Sequence, residues 1–448
     1  MKKAAQNALI LLTPFALLSP LSISAEGGDG SNGLYEPMIA GDSPFVLDGF
    51  VRQTVHGMKS IPGQTQISRD RLLSSQTRFR VGAEYDNNNL KIDIEGNLDL
   101  VFGNFTDTLA FDYIWGREIR NRWMSMERSE RRNDSIVSRD IHRAFASYST
   151  DTFKLAIGRQ AISWGEGRFL NPIDLITPVG PFLLDIEDVP GADAVDLSYY
   201  INSFDMLEVV IVPYRRLDRS DTGRIGSLDT NLLFRYRASV GNLDLALIAG
   251  HHFHSAVAGI DMNWTIGGAS IRAAYLARDE RITKDDPYRN EQDPPPQTVH
   301  QALFGAGYAF FGELIMNVEL FLNSGAYRDN AAVKEHITRA PLIDADFLPA
   351  DPTDASFFHV QGRILTKNPV LIELSATYNI TDLITMTLFA IGDPVGKSAY
   401  YGPIFSYSIS DEGILSAGAQ IMTDSRNSVE PEFPGYSDMA YGLIRWHF

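Results

Sequence analysis

Leu90-Lys91-Ile92-Asp93-Ile94-Glu95-Gly96-Asn97-Leu98-Asp99-Leu100-Val101-Phe102 is the stretch whose reading decides the fold class. Leu90, Ile92, Ile94, Leu98, Leu100 and Phe102 take one side of an extended chain, and Lys91, Asp93, Glu95, Asn97 and Asp99 take the other. That two-residue period belongs to a strand whose faces meet different surroundings. It recurs where Leu232, Phe234, Tyr236, Ala238 and Val240 oppose Arg235, Arg237 and Ser239, and where Phe79, Val81, Ala83 and Tyr85 oppose Gln76, Arg78, Arg80 and Glu84.

Short polar turns separate such segments at Asp86–Asn89, Thr150–Thr152, Asn202–Asp205, Gly241–Asn242, Gly267–Gly268, Phe311–Glu313, Asn379–Asp382 and Asp411–Gly413. The turns define eight hairpins, hence sixteen strands; one strand near 45–55 and one at 439–448 make eighteen. The stretch 356–367 reads either as a loop hairpin or as part of a long strand. Most other connections are long, at 56–71, 103–139, 163–191, 217–228, 281–298, 324–355 and 424–438, and carry clusters such as Asp293-Pro294-Pro295-Pro296. Two are short, near Ser255 and at 393–400. Tight turns at one end and long loops at the other are the layout of an outer-membrane barrel, and a soluble sandwich has no reason to sort its connections this way.

The first residues point to the same compartment. Lys2 and Lys3 precede an apolar stretch from Ala8 to Leu21, and Ser22-Ile23-Ser24-Ala25 follows it, the order of a secretory signal cleaved after Ala25. Pro14 and Pro20 and the short apolar core argue against an uncleaved anchor. The expected organisation is a signal peptide at 1–25, a short periplasmic segment at 26–44 and a barrel at 45–448, with long external loops at 103–139, 163–191 and 324–355. No later stretch offers the ~20 consecutive apolar residues of a membrane helix. The 448 residues carry a net charge of −17, which disfavours nucleic acid as a partner. The absence of cysteine excludes disulfides, Cys-ligated metals, Cys nucleophiles and N-terminal lipid acylation through cysteine.

Ala440, Gly442, Ile444, Trp446 and Phe448 share one face, with Phe448 last. This resembles the carboxy-terminal strand of bacterial outer-membrane proteins, and the resemblance implies that Trp446 and Phe448 form a signal read by the barrel-insertion machinery. Because hydrocarbon leaves every unpaired backbone group unsatisfied, a strand-rich chain spans only as a closed barrel. The expectation is therefore an all-β, transmembrane antiparallel β-barrel of eighteen strands, with sixteen as the alternative count, in the bacterial outer membrane.

On the polar faces the lumen would hold Arg78, Arg80, Arg235, Arg237, Arg272, Arg445 and Lys91. The carboxylates expected there are Asp93, Glu95, Asp99, Asp196, Glu208, Asp244, Asp261, Glu319 and Glu373. Segregated arginines and carboxylates across a narrow pore select charged solutes. The plain alternative is that a wide barrel simply needs polar interior residues that pair with one another. The 103–143 region is locally basic, with Arg117, Arg120, Arg122, Arg128, Arg131, Arg132, Arg139 and Arg143. It reads equally as a constriction loop or as an external loop contacting the phosphates of lipopolysaccharide.

Gly158-Arg159-Gln160-Ala161-Ile162-Ser163-Trp164-Gly165-Glu166-Gly167-Arg168-Phe169-Leu170-Asn171-Pro172 is the most distinctive local sequence. It resembles the Gly-Arg-Gln…(Trp/Tyr)-Gly…Arg pattern at a strand end in alginate-export-type barrels and related porin-like families. The glycines and prolines of the following stretch suit an inward plug or gate, with Arg159, Trp164, Glu166 and Arg168 as its constriction residues.

Gly392-Asp393-Pro394-Val395-Gly396-Lys397-Ser398 is not a phosphate loop, because three residues separate its glycines where four are required. His251, His252 and His254 lack the carboxylate spacing of a metal site. Ser255 directly follows His254, so alternation points the two apart, and no nucleophile–base pair emerges. The expected function is non-enzymatic and cofactor-free: a porin-like channel for small hydrophilic, charged solutes, with an Arg/Asp/Glu-lined lumen and with homo-oligomerisation left open. The alternatives are an export conduit for an acidic polysaccharide and a barrel sheath or scaffold for a partner protein.

Overall fold

Alternating segments of this length pair edge to edge, and closing the ring removes the last exposed edge. The computed structural model describes residues 44–59, 71–107, 123–124, 126–132, 135–178, 189, 191–217, 225–253, 255–279, 298–326, 358–360, 363–424 and 438–448. The segment 1–25, most of 26–44, His254, Arg117, Arg120, Arg122 and nearly all of 324–355 lie outside them.

The strands begin with β1 (Phe45–Lys59), β2 (Arg71–Asn87), β3 (Leu90–Phe102), β4 (Glu127–Arg132), β5 (Ser135–Ser149), β6 (Phe153–Gln160) and β7 (Ala192–Tyr200). Then follow β8 (Asp205–Leu217), β9 (Ile225–Val240), β10 (Leu243–His252), β11 (Ser255–Ile266), β12 (Ala269–Asp279), β13 (Thr298–Phe310) and β14 (Leu314–Asn323). The last are β15 (Phe358–Val360), β16 (Arg363–Leu365), β17 (Val370–Thr381), β18 (Ile384–Asp393), β19 (Ser398–Ser408), β20 (Gly413–Asp424) and β21 (Met439–His447). Sequential neighbours pair antiparallel, β3 pairs directly with β5, β14 with β17, and β21 returns to β1. Eighteen strands thus close a barrel, while β4 adds to one edge of β5 and β15–β16 form a separate small hairpin.

All eight expected turns join consecutive strands. At Gly267 and Gly268 both residues have positive φ, 56° and 84°, the backbone of a two-residue hairpin turn whose twist matches its strands. Within the stretch 356–367, Phe358–Val360 and Arg363–Leu365 pair antiparallel, the loop hairpin of the two readings. The 103–139 connection is shorter than its polarity suggested, because Glu127–Arg132 and the residues from Ser135 onward are strand.

The outer face carries exposed Val81, Ile94, Ile157, Phe304 and Leu388, with Tyr148, Tyr199 and Tyr378 toward the tight-turn end. The inner face carries the arginines and carboxylates, as alternation required. Closure is tight at the ends of the chain's first and last strands. Gly49 and Phe448 exchange two backbone hydrogen bonds of 3.0 Å, and a Cβ at position 49 would lie 2.9 Å from the Phe448 ring and against the carbonyl of Arg80. Gly49→Val should therefore strain the seam by about 1–3 kcal/mol. The expected result is a lower temperature for conversion of the folded to the unfolded band on unheated-to-heated gels, and an unchanged transition would remove the Phe448–Gly49 packing as a closing contact.

Candidate functional site

β6 and β7 are short because the chain between them leaves the wall. From Ala161 to Pro178 it folds into the lumen and is zipped by nested hydrogen bonds. Thr177 donates to the Ile162 carbonyl at 2.7 Å, Ser163 to Asp174 at 2.8 Å, and Asn171 to the Trp164 carbonyl at 2.7 Å. Gly165, at the inner end, has φ +85° and lies where any side chain would strike the Asn171 amide.

One side of this loop is apolar and dry. Ile162, Trp164, Leu170, Ile173, Leu175 and Ile176 are buried against inward side chains of the wall, among them Val210, Leu233, Leu276, Leu303, Phe321 and Tyr400. Each fully buried aliphatic or aromatic side chain contributes about 1.5–3 kcal/mol, enough collectively to hold a segment of this length. Ile364, at the end of the β15–β16 hairpin, joins the same cluster. Gln301 donates to the Ile364 carbonyl at 2.7 Å, and Asn323 donates to Thr366 at 3.0 Å. A second segment therefore enters the lumen, which the sequence reading did not anticipate.

Polar wall groups complete the docking. Trp164 donates its indole N–H to Glu208 at 3.3 Å, and Arg235 binds the same carboxylate at 2.6 Å while lying 4.9 Å over the Trp164 ring. The backbone amide of Arg168 donates to both oxygens of Glu319, at 3.0 and 3.3 Å, and Arg272 binds Glu319 from the wall at 3.0 Å. Glu373 lies directly across from Glu319 in register and approaches the Leu170 amide, while Asp261 approaches the Glu166 amide. Three carboxylates from three different strands thus line the loop's wall side, with Glu319 hydrogen-bonded to it and both Glu373 oxygens buried without a hydrogen-bond partner among the described residues. Glu166 and Arg168 themselves point their side chains away from the wall and are exposed.

This arrangement divides the expected site residues. Arg235, Arg272 and Glu319, expected as pore lining, serve as loop anchors, and so does Trp164. Arg237 stays exposed on the inner face of β9. Arg78 and Arg80 lie on the arc that the apolar cluster leaves free; the cluster draws on strands from β7 round to β19, with Met422 of β20 packed against its edge, and on none of β21, β1, β2, β3 or β5. On that arc Arg52 is in direct register with Arg445 on one side and Arg78 on the other, so three guanidinium groups share one level of three adjacent strands. Arg78 is paired with Asp99 at 2.8 Å. Arg80 bonds Asn97 at 2.8 Å, lies 3.7 Å from Glu95 and 5.0 Å over Phe50. Arg143 lies 3.8 Å from Glu95, and Asp93 sits nearer the turn end beside Lys91 and Glu84. Arg52 carries this site as much as the arginines named for the lumen, and its spacing from Phe50 and Thr54 on β1 is the signal that could have found it; Arg143, named within the basic 103–143 region, reaches Glu95 because β5 shifts register there.

Arg159 belongs to the wall and not to the constriction. Gly158 has φ +127°, yet the register runs on unshifted, and Arg159 keeps the parity of outward Ile157. The Arg159 guanidinium then donates to Asp193 at 2.8 Å, to the Ile141 carbonyl at 2.7 Å and to the Met124 carbonyl at 2.6 Å, while the Met124 amide donates to Asp193 at 2.6 Å. It is fully buried. These bonds close the gap between the end of β6 and the start of β4 along the edge of β5.

No protein-family model matches the chain, and no curated protein sequence matches it. Its fold is similar to solved structures of outer-membrane porins. Pseudomonas aeruginosa OccK8 (OprE) superposes with a TM-score of 0.52 at 8% identity, over 90% of this chain and 98% of that one. Acinetobacter baumannii OccAB2 gives 0.51 at 9%, over 90% and 98%, and Pseudomonas aeruginosa OpdK, solved with vanillate, gives 0.50 at 8%, again over 90% and 98%. At such identity the likeness shows the eighteen-stranded barrel fold, and the alginate-export-type resemblance of 158–172 is not shown by it.

Two outcomes follow from the docked loop. Trp164→Ala removes a buried ring and leaves Glu208 without its indole donor, at a cost of about 3–5 kcal/mol. Unitary conductance should then rise by roughly twofold or more as the loop stops narrowing the lumen; an unchanged conductance would show that the loop stays in place without this anchor. Asp174, inside the loop, is held at a pKa of about 7, because burial raises it more than Ser163 and the Trp164 and Thr177 amides lower it. A carboxyl whose pKa rises on docking favours the docked state when protonated, so docking weakens as pH rises from about 4 to about 7 and is level above that. Open-substate occupancy should be higher at pH 8 than at pH 5, and Asp174→Asn should reduce the difference.

Proposed function

We propose that this protein is a non-enzymatic outer-membrane channel of the porin kind, passing small hydrophilic anions between the docked loop and the arginine-bearing arc. The reading is supported by the closed barrel, its apolar outer surface and polar inner one, and the similarity in fold to outer-membrane porins. The observation that carries the solute preference is the Arg445–Arg52–Arg78 row. Three guanidinium groups at one level concentrate positive charge on that arc, which favours an anion over a cation there. The docked loop supports the same preference from the other side. Its Trp164 indole and Arg168 amide, with Arg235 and Arg272 of the wall, neutralise Glu208 and Glu319, carboxylates that would otherwise repel an anion at the narrow level.

Guanidinium groups bind carboxylates in bidentate fashion, so small carboxylates are the proposed solutes. Vanillate, present in the OpdK structure, is a suitable first probe. The outward-facing Trp446 and Phe448 fit the proposed insertion signal, with Phe448 bonded back to Gly49.

In a planar bilayer with asymmetric potassium chloride, the refolded protein should show discrete steps and a reversal potential of anion-preferring sign. Replacing Arg52 and Arg445 by glutamine should lower the anion-to-cation permeability ratio by about threefold or more. Cation preference in the unaltered protein would refute the solute class. A folded barrel that stays closed would refute the open channel and favour a sheath around a partner.

A further inference from the structure

Above the point where β6 leaves the wall, β4 and β5 form a short antiparallel ladder in which Arg128 pairs directly with Arg139, and Arg139 in turn pairs with Leu98 of β3. Leu98 is an outward, exposed residue, and the ladder's parity puts Arg139 and Arg128 on that same outer face; both are exposed. Among the described residues neither guanidinium has an ion-pair or hydrogen-bond partner. The neighbouring Arg132 differs, lying 3.7 Å from Glu130.

The position along the wall gives the surroundings. Leu98 stands eight residues up β3 from Leu90, which lies beside Tyr148 at the tight-turn end. At roughly 3.3 Å per residue and a tilt near 40°, that is about 20 Å, close to the upper edge of an apolar band about 25 Å tall. A lipid-facing arginine costs least at such an edge, where its stem lies along hydrocarbon and its head reaches the polar layer. Two arginines paired directly across strands still repel one another. A phosphate between them removes the repulsion and offers oxygens to both planar donors.

We propose that Arg128 and Arg139 form an outward-facing site for the phosphate of an outer-leaflet glycolipid, with the acyl chains lying along Leu98 and Ile94. The inference rests on the outer-membrane placement proposed above. Lipid is the source of phosphate because the two groups open onto the hydrocarbon side of the wall and not onto the lumen.

The test uses the full-length folded protein in detergent micelles, titrated with bis-phosphorylated lipid A and read by native mass spectrometry. The expected result is binding at least tenfold tighter than for the same lipid with its phosphates removed. Arg128→Gln with Arg139→Gln should lose that tenfold, and Glu130→Gln with Arg132→Gln should keep it. Equal affinity in the Arg128/Arg139 variant, equal binding of the phosphate-free lipid, or full displacement by millimolar inorganic phosphate would each overturn the proposal. If the double variant does not fold, the single variants decide, each expected to lose about threefold or more. Conductance of the same preparations separates failure of this site from failure of the channel reading, since a conducting barrel without lipid preference refutes only the former.

Discussion

A wall standing in hydrocarbon cannot leave a backbone amide or carbonyl without a partner, and every unusual feature of this barrel arises where the chain departs from that rule and restores it by other means. The departure is the exit of the chain after Gln160. Had β6 continued upward, its backbone would have served the edge of β5 as far as Ser135. Instead β4 takes over the upper part of that edge, and the interval between them is bridged by side chains. Arg159 supplies N–H groups to the Ile141 and Met124 carbonyls, and Asp193 receives the Met124 amide, so a buried ion pair performs the task of missing ladder bonds. Removal of either partner would leave a buried charge and several backbone groups unserved, which is why this pair is structurally dearer than its surface counterparts.

The same necessity explains the carboxylates of the lumen. A loop folded into a barrel brings its own amides with it, and those on its wall side cannot all reach water. Glu319 meets the Arg168 amide and Glu208 the Trp164 indole, and Arg272 and Arg235 balance the resulting charge. Docking a loop therefore neutralises one arc of the lumen while leaving the other arc with its arginines. Electrostatic asymmetry across the passage is a by-product of where the loop is anchored, and it needs no residue dedicated to it.

Much of the barrel was legible from residues 90–102 and their echoes, because a strand between two unlike surroundings records both in its sequence and a tight turn records its own backbone. The eight turns, the first and last strands and the count of eighteen follow from that. What alternation cannot record is a side chain's partner. Arg235 and Arg237 read alike from the sequence, yet one stacks on Trp164 and the other does not. Arg159 stands beside the distinctive loop sequence, yet its register opposite Asp193 keeps it in the wall and out of the constriction. The strand β4 was hidden in a basic stretch whose composition resembles a loop, since an edge extension beyond the apolar band needs no apolar face. The distinctive 158–172 sequence did mark the site, and its glycines did signal the inward turn, although the reason lies in Gly165 crowding Asn171 and not in any catalytic or metal-binding pattern.

The acidity of the whole chain is therefore compatible with the proposed passage of anions. Net charge governs solubility and long-range approach, whereas selection is decided over the few ångströms where a solute sheds part of its water. At that level Glu208 and Glu319 on the loop side are engaged by indole, amide and guanidinium donors, and the opposite arc carries Arg52, Arg78 and Arg445 in register, the first two buried. The exposed pair Glu166 and Arg168, carried on the free side of the loop, adds one charge of each sign and so sets orientation more than preference. A solute with a carboxylate at one end and an apolar or hydroxylated body would meet guanidinium on the wall and the loop's exposed edge opposite, which orders it as it passes without holding it. The geometry thus favours weak, successive contacts over a single tight site, the condition under which binding speeds passage and does not block it.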